Sequence, residues 1–126
     1  MGHENQIKVA IADDHKVFRA GLKMALSGSG QIDFIWEAAN GRDIMRKIEL
    51  AQPDVLLLDL RMPEFESKDA ICVIRKQYPA VKIIVLSMYD DQEIIGKVME
   101  MGADAYLSKT TDPDEIYKAI VNCTRP

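Results

Sequence analysis

Three carboxylates stand at the ends of strand-like apolar runs in this chain. Asp59 follows four apolar residues, 55–58, and the pair Asp13 and Asp14 follows the run Ile7–Ala12. Because ligands bind at the carboxyl ends of the strands of a parallel sheet, we expect these acids to converge at one edge. Converging carboxylates repel one another, and a hard divalent cation such as Mg²⁺ relieves that repulsion. The pattern therefore predicts an oxygen-rich metal site.

Two further apolar runs end in polar side chains that suit the same edge. Residues 81–86 lead into Ser87, and the short run Ala105–Ser108 leads into Lys109. A lysine at this edge would offset part of the negative charge, although a solvated surface position is the usual fate of lysine. Its coincidence with three other strand ends favours a functional role.

The acid pair has a simpler alternative to metal binding. Asp13 or Asp14 could cap the helix that follows, because acids are favoured at that position. The alternative is weaker for Asp59, since a carboxylate at the end of a buried run is costly unless it is paired or coordinated. Acids in the first loop also argue against a flavin or nucleotide site, which needs a glycine- or hydroxyl-rich loop around bare phosphate. A metal-bridged phosphoryl group remains compatible.

Strand and helix patterns alternate along the whole chain. The predicted strands are Ile7–Ala12, Ile32–Ala38, Val55–Asp59, residues 81–86 and Ala105–Ser108. The predicted helices cover residues 17–26, 44–52, 68–77, about 91–101, and a last segment that Asp112 opens as N-cap with Pro113 and Glu115 in a capping-box arrangement. Five such units predict an α/β fold: a flavodoxin-like, doubly wound, five-stranded parallel sheet of order 2-1-3-4-5 with five helices.

The composition limits the classes of function. The chain has 126 residues, 48% hydrophobic and 29% charged, with a net charge of −4. One domain over residues 6–123 is expected, with residues 1–5 as a disordered lead-in. Contact with nucleic acid is not expected, and no apolar run approaches a membrane span. Cys72 and Cys123 are predicted to be buried, reduced thiols of a cytoplasmic protein.

Across residues 6–122, the chain resembles a response regulator receiver domain of bacterial two-component signalling. The resemblance rests on side chains in the family's order, namely Asp13, Asp14, Asp59 with Met62 and Pro63, Ser87, and Tyr106 with Lys109. Residues 12–22, 86–91 and 102–107 are most similar to the subfamily whose receivers precede a helix-turn-helix DNA-binding domain.

The resemblance implies a phosphoacceptor and its metal. Asp59 would take a phosphoryl group from the phosphohistidine of a histidine kinase. Asp13, Asp14, Asp59 and the backbone carbonyl of Arg61 would hold Mg²⁺. Such a domain is not an enzyme acting on other molecules, since it catalyses only its own phosphorylation and dephosphorylation.

The resemblance also implies a switch. Lys109 would pair with the phosphoryl oxygens, and Ser87 would hydrogen-bond the phosphoryl group. Tyr106 would then change rotamer and remodel the face made by the fourth helix, the fifth strand and the fifth helix. The expected consequences are homodimerisation on phosphorylation and control of transcription through a helix-turn-helix output domain in the full-length protein.

Two other functions remain open. A degenerate receiver that acts as a phosphorylation-independent interaction module is suggested by residues 64–67, Glu-Phe-Glu-Ser, where receivers commonly carry a glycine. A haloacid-dehalogenase-type phosphatase also uses an aspartate nucleophile after a strand. That class expects a second aspartate two residues on, where this chain has Arg61.

Overall fold

The fold is a parallel sheet between two layers of helices, as a computed structural model shows for residues 6–60, 67–88 and 92–125, with side chains 67–69 excepted. The elements in chain order are β1 (Ile7–Ala12), α1 (Lys16–Ser27), β2 (Ile32–Ala38), α2 (Gly41–Leu50), β3 (Val55–Asp59), α3 (Ser67–Gln77), β4 (Lys82–Ser87), α4 (Gln92–Glu100), β5 (Ala105–Ser108) and α5 (Pro113–Thr124). The predictions for residues 1–5 and for the loop positions 61–66 lie outside the described residues.

The strand order is β2-β1-β3-β4-β5, and every neighbouring pair is parallel. The predicted order is therefore confirmed. Ala12 pairs with Leu58, so the residues that follow them, Asp13 and Asp59, emerge side by side at the carboxyl edge. Asp59 in turn pairs with Leu86, which places Ser87 one position beyond it. This is the switch point of the doubly wound sheet, where the chain winds away in both directions.

The core lies on both faces of the sheet because all five residues of β3 are buried. Alternate side chains point to opposite faces of a strand. Leu56 and Leu58 pack in one cluster with the buried residues of α2 and α3. Val55 and Leu57 pack in the other with α1 and α5. A fully buried leucine contributes roughly 1.5–3 kcal/mol, so the strand that carries Asp59 is held firmly.

Several boundaries differ from the sequence prediction by one to three residues. Helix α2 ends at Leu50 rather than at residue 52, because the side-chain amide of Gln52 donates to the Ile48 carbonyl at 3.2 Å and Pro53 favours extended backbone before it. Strand β4 begins and ends one residue later than predicted and so includes Ser87. Helix α5 begins after Asp112 as predicted, but the cap oxygen accepts from the Asp114 amide rather than from position 115.

The prediction of two buried cysteines is wrong for Cys72, which is exposed, while Cys123 is partly buried. On α3 the buried positions belong to Ile71 and Ile74. A residue next to Ile71 is turned about 100° around a helix of 3.6 residues per turn, so Cys72 faces away from the sheet. Among the described helices, none has the length and hydropathy needed to cross a bilayer.

Candidate functional site

The carboxyl edge of the sheet holds a buried cluster of charges. The exposed fraction is 1% for Asp13 and 5% for Asp59. The Lys109 ammonium lies 2.7 Å from Asp13 Oδ2 and 3.1 Å from Asp59 Oδ2. Lys109 follows β5, and its backbone amide donates to the Ser87 carbonyl at 2.9 Å. From that anchor the lysine side chain reaches across the ends of β4 and β3.

Asp13 is oriented by backbone on both sides. Its amide donates to the Ala38 carbonyl at the end of β2, over 2.9 Å. Its Oδ1 accepts from the His15 amide at 2.7 Å, two residues along the chain. The alternative in which an acid caps α1 is wrong, because His15 occupies the N-cap position. Asp14 is more open, with a side chain 32% exposed.

His15 belongs to the same cluster, although no pattern in the sequence gave a reason to assign it a role there. Its Nδ1 lies 3.2 Å from Asp13 Oδ1, 3.4 Å from Asp14 Oδ1 and 4.0 Å from Asp59 Oδ2. The same nitrogen lies 3.1 Å from the Lys109 ammonium. The only sequence signal that could have indicated this position is adjacency, because His15 directly follows the acid pair and shares its loop.

These donor groups fit a divalent cation. One ligand atom from each of Asp13, Asp14, His15 and Asp59 can be chosen so that all lie within 4.8 Å of one another. Asp13 Oδ2 is buried and accepts no hydrogen bond from the described residues, although Lys109 faces it as an ion-pair partner. Three carboxylates against one ammonium leave an excess of negative charge. The cluster therefore has the charge and the oxygen donors that a hard cation requires.

Helix α1 contacts the cluster and is tied to strand β2 beside it. Arg19 and Lys23 of α1 bind the Glu37 carboxylate of β2, at 3.0 Å and 2.7 Å. The hydrogen bond from Lys23 and then that from Arg19 lower the pKa of Glu37 against the opposing effect of burial. Arg19 also donates to the Asp13 carbonyl. The Phe18 ring lies under Lys109, with its centroid 4.8 Å from the ammonium.

Two of the remaining predicted residues, Ser87 and Tyr106, lie on the neighbouring strands β4 and β5. Ser87 is buried at the end of β4, 1% exposed, and pairs with Ser108 of β5. Tyr106 is partly buried and packs against the core cluster that includes Val98 of α4. Arg61, whose carbonyl was predicted to bind the metal, lies outside the described residues.

Comparison with known proteins agrees with this geometry. The family model for the response regulator receiver domain matches residues 9–121. The transcriptional regulatory protein YhcZ of Bacillus subtilis is 42% identical over 112 residues, which is 89% of this chain and 52% of that protein. This chain thus spans about half the length of the curated relatives it matches.

Solved structures share the fold. The signal receiver domain of NarL from Mycobacterium tuberculosis has a TM-score of 0.89 and 32% identity, covering 95% of this chain and 97% of that one. RcsB from Salmonella enterica, bound to a promoter in the presence of the phosphomimetic BeF₃⁻, has a TM-score of 0.87 and 25% identity. That match covers 97% of this chain and 62% of that one. Because the family model matches 113 of the 126 residues, this chain belongs to the response regulator receiver domain family.

Proposed function

We propose that this chain is a phosphorylation-controlled switch in which Asp59 accepts a phosphoryl group from the phosphohistidine of a histidine kinase. The observation that carries the proposal is the bridge that Lys109 makes between the buried carboxylates of Asp59 and Asp13. A carboxylate can serve as a covalent acceptor. Phosphoryl transfer depends mainly on positioning and charge stabilisation, which is what this site offers.

In the proposed reaction, an Asp59 oxygen attacks phosphorus while the P–N bond to the donor imidazole breaks. The nitrogen leaves with that electron pair, and Asp59 becomes an acyl phosphate. Lys109 pairs with the transferred oxygens. Asp13, Asp14, Asp59 and the Arg61 carbonyl would hold Mg²⁺, which would supply positive charge beside those oxygens. Hydrolysis of the acyl phosphate resets the domain, so its catalysis is limited to its own phosphorylation and dephosphorylation.

The proposed switch runs from Ser87 to Tyr106. Ser87 lies one register position beyond Asp59, so its hydroxyl can donate to the phosphoryl group once that group is present. A charge-assisted hydrogen bond contributes about 1.5–3 kcal/mol. That is enough to shift a two-state equilibrium roughly 10–150-fold. Ser87 thereby pulls its loop inward, and Tyr106 then changes rotamer and remodels the face formed by α4, β5 and α5.

We infer that the output is transcription. YhcZ is a transcriptional regulatory protein, and RcsB was solved on a promoter. The net charge of −4 supports a division of labour in which residues 6–123 form the receiver and a helix-turn-helix output domain of the full-length protein contacts DNA. We propose that this signalling takes place in the cytoplasm, where the receiver can reach both the phosphohistidine of the kinase and the promoter DNA.

The test is intact mass after incubation with Mg²⁺ and acetyl phosphate. We expect wild type to gain one phosphoryl group, and the Asp59→Asn variant and a Mg²⁺-free sample to gain none. Circular dichroism of each sample confirms that it is folded. Absence of any gain in folded wild type would contradict the proposal and favour the phosphorylation-independent interaction module.

A further inference from the structure

The feature that the proposed mechanism does not use is the His15 imidazole. Its side chain is 64% exposed, yet its Nδ1 faces inward to the acids. Histidine is a common ligand of transition metals, and a neutral imidazole binds through one ring nitrogen. The ring makes no cap bond to α1, so it is not needed to begin that helix.

The distances around Nδ1 match those between two ligands of one metal ion. Ligands bound at about 2.1 Å are about 3.0 Å apart at a right angle and about 3.4 Å apart at a tetrahedral angle. Nδ1 lies 3.2 Å from Asp13 Oδ1 and 3.4 Å from Asp14 Oδ1. It lies 4.0 Å from Asp59 Oδ2, below the limit of about 4.2 Å for opposite ligands. The separation between Nδ1 and each of these carboxylate oxygens is thus already one that two ligands of the same metal ion can have.

The contacts of Nδ1 make opposite demands on the ring. A lysine ammonium has only donors, so the 3.1 Å contact with Lys109 requires Nδ1 to present its lone pair. The 3.2 Å contact with the Asp13 carboxylate requires Nδ1 to carry a hydrogen. One tautomer cannot satisfy both. A cation between Nδ1 and the carboxylates satisfies the lone pair and the oxygens together.

We propose that His15 is a nitrogen ligand of the cation bound by Asp13, Asp14 and Asp59, and that it makes the site favour first-row transition-metal ions over Mg²⁺. This rests on the proposed function, which places a divalent cation at the same carboxylates. Mg²⁺ takes oxygen ligands and keeps several waters, whereas imidazole suits the later first-row ions. His15 therefore determines metal selectivity at a site that oxygen ligands alone would leave to Mg²⁺.

Calorimetric titration with Co²⁺ and with Mg²⁺ tests this on wild type and the His15→Ala variant. We expect the variant to bind Co²⁺ about tenfold or more weakly, because loss of even an outer-sphere partner of a metal costs 10–100-fold in affinity. Mg²⁺ affinity should change less than about twofold, since Mg²⁺ can replace a nitrogen ligand by water. The matched control is His3→Ala, which removes the only other histidine of the chain and should leave both affinities unchanged.

Proton NMR of the Co²⁺-loaded protein gives a second readout. A ring bound directly to Co²⁺ has strongly contact-shifted proton signals. These should be present in wild type and His3→Ala and absent in His15→Ala. If His15 is only an ion-pair partner of the acids, the ratio of Co²⁺ to Mg²⁺ affinity stays the same in His15→Ala and no ring signals shift, which overturns the proposal.

The outcomes separate the two proposals. If wild type gains a phosphoryl group with Mg²⁺ but His15→Ala keeps the metal preference of wild type, the role of His15 is contradicted and the proposed function stands. Wild type that binds neither ion and gains no phosphoryl group removes both proposals.

Discussion

At the scale of single residues, the site is a set of charges that tolerate burial only together. Lys109, Asp13 and Asp59 have side chains that are 4%, 2% and 5% exposed. Removing one partner of a buried ion pair leaves an uncompensated charge and costs about 3–5 kcal/mol. Lys109 therefore has a structural role in the metal-free protein as well as its proposed role beside the phosphoryl group.

Replacement of Lys109 by methionine should expose that role. Methionine keeps an apolar stem over the Phe18 ring and removes the charge, so the free energy of unfolding in metal-free buffer should fall by about 3–5 kcal/mol. Mg²⁺ should restore part of the loss, because a bound cation replaces the missing charge and stabilises the folded state by mass action. Urea unfolding with and without Mg²⁺ measures both effects.

The control for this prediction is Lys118→Met on α5. Lys118 pairs with Glu115 at 3.4 Å, but its side chain is 67% exposed. An exposed pair of this kind contributes less than about 1 kcal/mol. If the two variants lost the same free energy of unfolding, the burial of the Lys109 ion pairs would have no effect on stability.

At the scale of elements, the position of β5 depends on one arginine of α3. The Arg75 guanidinium donates to the carbonyls of Gly102, Pro79 and Val81 at 3.0, 3.0 and 2.9 Å, and binds the Asp104 carboxylate. It thereby ties the turn before β5 to the start of β4. Since β5 carries the proposed switch tyrosine and leads into the site lysine, this tie positions functional groups from a distance.

Gly102 is the sensitive point of that tie. Its φ is +116°, and a Cβ there would come within 3.0 Å of the Arg75 side chain. Gly102→Ala should therefore lower the free energy of unfolding by about 1–3 kcal/mol. Gly96→Ala, within α4 and with open space around it, should raise that free energy by about 0.5–1 kcal/mol because alanine favours helix. Thermal unfolding of both variants checks the opposite signs. A stabilising effect of Gly102→Ala would contradict the expectation that a side chain is strained at this positive φ.

At the scale of the whole molecule, the doubly wound sheet separates the site from the face that would transmit its state. The carboxyl edge gathers groups from β1, β3, β4 and β5, while Tyr106 lies on the outermost strand at one side. A signal must therefore cross β4, and we propose that Ser87, at the end of that strand, begins the movement.

Light scattering with and without BeF₃⁻ and Mg²⁺ tests that transmission. If phosphorylation remodels the face of α4, β5 and α5 into a dimer contact, we expect the mass of wild type to double with the mimic. The Asp59→Asn variant should stay monomeric, because it removes the acceptor carboxylate. A monomer under every condition would count against dimerisation by this receiver and would leave phosphorylation itself untouched.

The fold was predictable from the sequence because its signals are local. An apolar run, a proline or a capping acid marks an element within a few residues, and strict alternation then restricts the sheet to few topologies. The same reasoning brought together Asp13, Asp59 and Lys109, since parallel strands end at one edge. Arg61 could be assigned a role only through the family resemblance, and that role stays a prediction.

Contacts between distant residues required the folded chain. His15 and Lys109 are 94 positions apart, and nothing in either neighbourhood predicts that a ring nitrogen and an ammonium lie 3.1 Å from each other. The orientation of Cys72 depends on how α3 is rotated about its own axis. The hydrogen bond from the His15 amide, which keeps Asp13 from capping α1, depends on the geometry of the loop. A pattern of residue types specifies which groups reach an edge, whereas side-chain packing in three dimensions decides which atoms meet there.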